Sequence, residues 1–390
     1  MGKPGRLRVL VTDAFDKKAL AAVRFLARDG CIVGATGPHW TDQCLHSRFA
    51  AESFVSPNPV RDGDAWADFM LDYLSRKRWD AVLPMSDYTT IILSRRADDF
   101  SKVTNICVPP WDVLQLARDK PRISDLAASL GIAVPKTWQP SSLEEVRTLA
   151  GEVPCPVVVK YKRGTGSVGL RYARSRDELI ACYGGEEHAK DMVFDDTFPM
   201  IQEYIPGETR DVSVLFCNGE PRALLSSRRA LTLPATGGRG VVNEILELPE
   251  LKEIVVRLLR RINYHGPAQV EFKYDPSRDE YYFLEVNTRF WGGVGFACEA
   301  GINFPLLTAR LAVEGDIEGR FEHLNGMYYR WPFPLELQSV LERPDRLTEL
   351  LEYFNRFRRG MRYDVWPSDP MPHFWDWFMH FYRRAKSSKK

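Results

Sequence analysis

The chain has 390 residues, 44% of them hydrophobic and 27% charged, and a formal net charge of +1. That length suggests two or three structural units with ample apolar material for cores. The near-neutral balance excludes a global field directed at nucleic acid or an acidic polymer.

Met1 to Arg8 is basic but runs directly into the strand-like Leu7 to Val11, with no apolar signal core after it. No apolar run approaches the ~20 residues a membrane span needs. Seven cysteines are scattered without a CxxC pair, which points to free thiols in a reducing compartment, and the cytoplasm is the expected location. Lys17 to Arg28 has helical spacing of apolar residues, Cys31 to Ala35 reads as a strand, and Trp66 to Ser75 as a helix. Asp80 to Pro84 and Ile106 to Val108 read as further strands. Strands alternating with helices predict an α/β domain with a parallel sheet over residues 1–111. The turn Thr12-Asp13-Ala14-Phe15 lacks the glycine fingerprint of a dinucleotide site.

After Pro109-Pro110, one helix is expected through Leu116 and another over Ile123 to Leu130. From Val157 to Val286 the pattern changes to hairpin-like strand pairs with one strong helix at Leu251 to Arg261, an α+β signature. Val157 to Lys160 is a buried-type strand, followed by Gly164-Thr165-Gly166-Ser167-Val168-Gly169. Leu170-Arg171-Tyr172 favours a strand after that loop, so neither a Rossmann nor a Walker site fits. A glycine-rich loop between strands still lets backbone N–H groups approach phosphates closely. Lys160, Lys162 and Arg163 place positive charge beside it.

Ala268 to Tyr274 and Tyr281 to Asn287 both alternate polar and apolar around the turn-rich Asp275 to Glu280. A hairpin symmetric about Arg278 sets Gln269 opposite Asn287, Glu271 opposite Glu285 and Lys273 opposite Phe283. Gln269, Glu271, Glu285 and Asn287 then share one face, and Val270, Phe272, Leu284 and Val286 form the core face. Two carboxylates ~5 Å apart repel. A divalent cation reverses that sign, and two carboxylates with an amide suit Mg²⁺, which keeps other positions for water and phosphate oxygens.

These pieces, in this order, resemble the ATP-grasp superfamily, in particular carboxylate–amine ligases akin to the ATP-binding domains of carbamoyl-phosphate synthase and biotin carboxylase. The resemblance covers roughly residues 5–315. Its most specific part is Phe283-Leu284-Glu285-Val286-Asn287-Thr288-Arg289, which looks like the family's metal motif E-x-N-x-R, with Glu271 where the family places its other metal ligand. It implies an ATP-grasp domain over 112–315, two subdomains clamping ATP with the lid at about 135–205, and a small C-terminal extension over 316–390.

It further implies that Lys120 and Lys160 contact ATP phosphates and that 164–169 is the phosphate lid. Ile201 to Glu208 resembles the hinge strand. There Glu203 and the backbone at Ile205 would meet adenine, Tyr204 belongs to the same nucleotide-binding set, and Glu208 would meet the ribose hydroxyls. Glu271, Glu285 and Asn287 would hold Mg²⁺, with Mn²⁺ as an alternative, and Arg289 would stabilise the transferred phosphate. Ser227 to Gly238 resembles a substrate-side segment in which Arg228 or Arg229 would orient the acceptor carboxylate.

The implied function is an ATP-dependent ligase joining a small-molecule carboxylate to an amine through an acyl phosphate. No nucleic-acid partner is expected, and a homodimer is compatible. A carboxylase or carbamoyl-phosphate-type phosphorylating enzyme is one alternative, and a non-catalytic nucleotide-binding scaffold docking through its tail is another. The tail, His373 to Lys390, combines dense aromatics with five Lys and Arg residues. It suits packing on the ligase core, or peripheral contact with an anionic membrane.

Overall fold

The computed structural model describes residues 6–163, 169–184, 198–234, 238–358, 361–375 and 378. Gly164, Thr165, Gly166 and Ser167 of the expected phosphate lid lie outside these residues, as does most of the tail.

The N-terminal strands are β1 (Arg8–Val11), β2 (Ile32–Gly37), β3 (Glu52–Val55), β4 (Ala81–Leu83) and β5 (Asn105–Ile106). They form a parallel sheet in the order β3-β2-β1-β4-β5. Edge strand β3 escapes the sequence reading because its four residues are only partly buried and carry no strong apolar pattern. Helix Lys17–Arg28 buries Leu20, Val23, Phe25 and Leu26, and Asp16 caps its start by accepting from the Lys18 N–H. The Asp13 carboxylate fills the crevice after β1. It accepts from the backbone N–H groups of Met85 and Ser86 (both 3.0 Å) and from the hydroxyls of Thr12, Ser86 and Thr89. This network fixes the start of helix Asp87–Arg95.

A second sheet comprises β6 (Thr137–Trp138), β7 (Val157–Lys160), β8 (Arg171–Ala173) and β9 (Met200–Glu203). Its order is β6-β9-β7-β8, antiparallel throughout. On β7, Val157 and Val159 enter this unit's own core, which leaves Val158 and Lys160 on the opposite face.

The third sheet carries β10 (Glu208–Cys217), β11 (Glu220–Leu233), β12 (Arg239–Ile245), β13 (Gly266–Asp275), β14 (Glu280–Asn287), β15 (Tyr328–Arg330) and β16 (Arg362–Tyr363). The order is β14-β13-β10-β11-β12-β15-β16, and only β15 and β16 run parallel. Gly207 links the second sheet to the third. It adopts φ +96°, and a Cβ there would lie 2.1 Å from the Tyr274 carbonyl oxygen, so only glycine fits.

Described residues beyond 316, expected as a small extension, contribute to the large sheet and to a shared core. β15 and β16 continue the large sheet, and Tyr329 and Trp331 share one core with Val9 and Leu83 of the N-terminal unit and Leu215 and Ile245 of the large sheet. The segment just before the tail also packs inward. Trp366 makes edge contacts with Phe25 (5.3 Å between centroids) and Phe49 (5.7 Å). Asp369, 1% exposed, accepts from Arg24 Nε (2.9 Å), Ser47 Oγ (2.7 Å) and the Arg48 N–H (3.0 Å). These bonds anchor the chain's end to helix Lys17–Arg28. No helix among the described residues is long and apolar enough to cross a membrane.

Removing one partner of a buried, hydrogen-bonded ion pair leaves the other charge uncompensated. Asp369→Ala should therefore lower the unfolding free energy in urea by roughly 3 kcal/mol. Breaking the exposed Arg260–Glu220 pair with Glu220→Ala should leave the midpoint almost unchanged.

Candidate active site

A cleft of about 900 Å³, counted out to open solvent, lies between the second and third sheets. Val158 and Lys160 of β7, Tyr172 of β8 and Glu203 of β9 form one wall, with Thr209, Glu271, Lys273 and Glu285 of the large sheet opposite. Tyr204 and Ile205 line the connection between them. The Tyr172 and Tyr204 rings meet edge to face at 6.1 Å. The cleft thus has an apolar slot at the hinge and cations deeper in. The Glu203 carboxylate accepts from the Lys136 N–H at 3.1 Å.

Glu271 faces Glu285 and Gln269 faces Asn287 across β13 and β14, as the symmetric hairpin predicts. Beyond them a β-bulge between Glu271 and Phe272 shifts the register, so Lys273 pairs with Tyr282 instead of Phe283. The expected core face changes accordingly. Phe283 is fully buried against Phe272, whereas Leu284 turns to line the cleft. A bulge adds one residue to one strand and re-aims the side chains beyond it.

The Asn287 amide nitrogen lies 3.0 Å from Glu271 Oε1 and 3.2 Å from Glu285 Oε1. The two carboxylates therefore converge on one point. Arg229 Nη2 lies 2.6 Å from Glu271 Oε2, and Lys120 Nζ lies 3.1 Å from Glu285 Oε2. Each glutamate thus has its own cation, and the repulsion expected from the sequence is relieved within the protein. Burial alone would raise the Glu285 carboxyl, but Lys120 and Lys160 overcome it and hold that group well below the usual range. Burial lowers the Lys160 ammonium to about 8, against the opposing pull of Glu285 and Glu271. Lys120 opens helix Lys120–Ser129, where a cation opposes the helix dipole, so Glu285 offsets an unfavourable position.

Arg289 Nε donates to Asp87 Oδ2 at 2.5 Å and Arg289 Nη2 to Asn287 Oδ1 at 3.1 Å. The N-terminal unit thereby orients the end of the E-x-N-x-R segment. The pair of arginines on β11 splits, because successive strand residues face opposite ways. Arg229 joins the carboxylate cluster. Arg228 lies on the other face, held by Glu208 (3.0 Å) and Glu244 (2.6 Å). Arg228 is thus not beside the cluster, and Glu208, bound also to Arg210 at 2.7 Å, does not line the cleft. Of Arg228 and Arg229, either of which was expected to orient the acceptor, Arg229 is the one beside the carboxylates, and Glu208, expected at the ribose, is paired with Arg228 and Arg210. Gly169 has φ +70° and follows the undescribed lid residues.

Two acidic residues of this region escaped the sequence reading. Asp211 pairs in register with both Glu271 and Ser227. It accepts from Ser227 Oγ (2.7 Å) and Gln269 Nε2 (2.9 Å), with Arg229 Nε at 3.6 Å. Period-two alternation past the hinge would have flagged it. Asp87 has no local signal, since it meets Arg289 across 202 positions of sequence.

On the far side of the cluster is a second chamber of about 1440 Å³, likewise counted out to solvent. Arg229, Glu271 and Glu285 line both spaces. The carboxylates therefore stand where the cleft and a second compartment, lined by five cationic side chains, adjoin.

The cluster fits a divalent cation in that its two carboxylate oxygens already converge on one donor atom. Among the described residues no group of three His, Cys, Asp or Glu could hold a metal. An ion here must complete its shell with oxygens from elsewhere, which suits Mg²⁺ with phosphate and water.

Burial raises the Asp211 carboxyl from 3.8 to about 6. A raised folded-state value gives stability that is fully present below the unfolded value and is lost as pH rises through the folded one. Wild type should therefore lose on the order of 2 kcal/mol relative to Asp211→Asn between pH 4 and 7, read from denaturation midpoints.

The family described as "ATP-grasp in the biosynthetic pathway with Ter operon" matches residues 196–332. Biotin carboxylase 1 of Bacillus subtilis is 30% identical over 260 residues, covering 63% of this chain and 56% of that protein. The chain spans from a small part to about half of the curated relatives it matches first. Two solved structures share the fold. One is the biotin carboxylase domain dimer of Hydrogenobacter thermophilus 2-oxoglutarate carboxylase with MgADP, ADP and bicarbonate, at TM-score 0.64 and 20% identity over 83% of this chain and 74% of that one. The other is the L-amino acid ligase from Bacillus licheniformis, at TM-score 0.62 and 17% identity over 80% and 76% of the two chains. Residues 196–332, which carry the converging Glu271, Glu285 and Asn287, thus match an ATP-grasp family, and most of the chain shares its fold with these biotin carboxylase and amino acid ligase structures.

Proposed function

We propose that the chain is an Mg-ATP-dependent ligase that joins a carboxylate to an amine or similar nucleophile. The observation that carries this reading is the carboxylate pair standing between two compartments, with Lys120 and Lys160 on one side and Arg289 on the other. A carboxylate oxygen of the substrate attacks the γ-phosphorus and ADP leaves. The amine nitrogen then attacks the acyl carbon, phosphate leaves and the amine gives up a proton.

In this reading ATP occupies the cleft between the sheets. Tyr204 and Ile205 meet the base near Glu203, and Lys120 and Lys160 neutralise phosphate oxygens. Glu271, Glu285 and Asn287 would hold Mg²⁺, or Mn²⁺, and the ion would supply charge neutralisation for the transferring phosphoryl group. With an ion there, Glu285 and Glu271 would no longer need Lys120 and Arg229 as counter-charges, which would leave both cations for developing negative charge. Arg289, oriented by Asp87, stabilises the transferred group, and Arg229 is the better placed of the two arginines to meet the acceptor. Residues 164–169 cover the phosphates, and covering excludes water that would hydrolyse an acyl phosphate.

The unit bounds 1–111, 112–315 with a lid at 135–205, and 316–390 become, in this reading, one clamp whose last segment completes the large sheet. Seven free cysteines, six of them buried, suit a reducing compartment such as the cytoplasm. We assign the stripe of Leu347, Leu351 and Phe354, 80%, 67% and 62% exposed, to a homodimer contact. With Leu341 and Phe357 it exposes on the order of 500 Å² per chain, and doubling across a two-fold reaches the ~1,000 Å² a specific interface needs. Leu351→Glu should convert a dimer to a monomer in sedimentation velocity.

Hydroxylamine intercepts acyl phosphates as hydroxamates whatever the natural amine. Incubation with Mg-ATP, hydroxylamine and pooled carboxylic acids should give hydroxamate and ADP in equal amounts, and Glu285→Ala should lower the rate at least ~100-fold. ADP release that needs bicarbonate and no organic acid would favour the carboxylase alternative. Nucleotide binding without turnover under every pool would favour a scaffold.

A further inference from the structure

The second chamber has lining residues that the proposed chemistry does not use. Its charged side chains are Lys17, Lys18, Arg229, Arg239 and Arg289 against Asp16, Glu271 and Glu285. Lys18 pairs with Asp16, Arg229 with Glu271, Arg289 with Asp87 and Glu285 with Lys120. Lys17 and Arg239 remain, with no ion-pair partner among the described residues, so the chamber holds two surplus positive charges. They come from opposite sides. Lys17 opens the first helix of the N-terminal unit, and the exposed Arg239 begins β12 between Gly238 and Gly240.

Asn243 adds an independent observation. It is 8% exposed and lines the chamber, yet its Oδ1 has no hydrogen-bond partner among the described residues. That oxygen is itself covered, so a ligand N–H or O–H meets it once the side chain turns toward the chamber, a turn favoured because buried amide oxygens are normally satisfied. Gly240 makes room for it, since a Cβ there would lie 2.1 Å from that oxygen. Phe15, 44% exposed, with Trp331 and Leu335, supplies apolar wall beside these groups.

We propose that the chamber selects a carboxylic acid bearing a second anionic group, a carboxylate or a phosphate. The reacting carboxylate points toward Glu271 and Glu285. The second anion rests between Lys17 and Arg239, and a polar N–H or O–H of the same molecule meets Asn243. This rests on the ligase reading above and names the substrate class for that site. Cationic groups in a partly enclosed chamber favour a dianion over a monoanion and discriminate against the acid lacking the extra group.

The test uses matched pairs in the hydroxamate assay with the full chain. Phenylsuccinate is compared with 3-phenylpropanoate, which lacks only the second carboxylate, and O-phosphoserine with serine. The expected result is at least a tenfold preference in kcat/KM for the dianionic member of one pair, and which pair responds tells carboxylate from phosphate. Lys17→Met with Arg239→Met should bring that ratio close to one. Equal turnover within both pairs, or a ratio unchanged in the double variant, overturns the proposal. If no acid is activated, the ligase reading fails on its own. The same four acids titrated calorimetrically into the protein with Mg-ADP then decide the chamber's selectivity. Tenfold tighter binding of a dianion, lost in the double variant, upholds it; equal or absent binding overturns it.

Discussion

Two carboxylates held opposite each other across one hairpin set the terms for the rest of this molecule. Glu271 and Glu285 share a register position, and their inner oxygens converge on the Asn287 amide. Such a pair persists only with compensating charge. Arg229 and Lys120 provide it from β11 and from the start of helix Lys120–Ser129. Asp211 and Asp87 in turn hold the arginines on either side of the cluster. The N-terminal sheet and the large sheet are thereby tied to one charge balance, and the Lys120 N–H, bonded to the Lys162 carbonyl, extends it toward the glycine loop. Buried ion pairs are costly to assemble. Arg24–Asp369 and Arg330–Glu336 are buried in packed interior, whereas the pairs of this cluster line open cavities, as suits groups that exchange partners with a ligand.

The part of this arrangement legible in the sequence is the part encoded locally. Alternation in Ala268 to Tyr274 and Tyr281 to Asn287 specified which residues share a face, and the pairing of Glu271 with Glu285 followed from turn geometry. The bulge at Glu271/Phe272 did not, because one extra residue leaves both strands with acceptable alternation. Leu284 and Phe283 exchanged places as a result. Arg228 and Arg229 looked like a single feature in the sequence, yet a strand must send them to opposite faces. Applying period two to β11 and β10 would have separated them and added Asp211. Asp87 was beyond reach, because its meeting with Arg289 is a product of packing between units. The same holds for β15 and β16, short strands whose pairing partners are supplied by the large sheet.

The placement of the cluster also explains why the site has two sides. The cleft toward the second sheet offers an apolar slot at the hinge and lysines deeper in, a profile suited to a base and its phosphates. The chamber toward the N-terminal unit offers cations, an unsatisfied amide and an apolar wall. Gly207 stands between the sheets that enclose the cleft, in a backbone conformation that no other residue would adopt without collision. Closing the cleft need not disturb the chamber, whose walls come from the N-terminal unit, the large sheet and the C-terminal segment that shares their core. Asp369 and Arg24 lock that segment to the helix whose first turn lines the chamber.

The central claim is that Glu271 and Glu285 give up their protein cations to a divalent ion when nucleotide binds. The direct measurement is ADP affinity as a function of Mg²⁺ concentration, in wild type and in Glu271→Gln with Glu285→Gln. The account predicts that wild-type affinity rises steeply with Mg²⁺. In the double variant that dependence should disappear while metal-free affinity stays equal or improves, because Lys120 and Arg229 lose their pairings with Glu285 and Glu271. A double variant that keeps the full Mg²⁺ response would contradict the assignment of this cluster as the metal site.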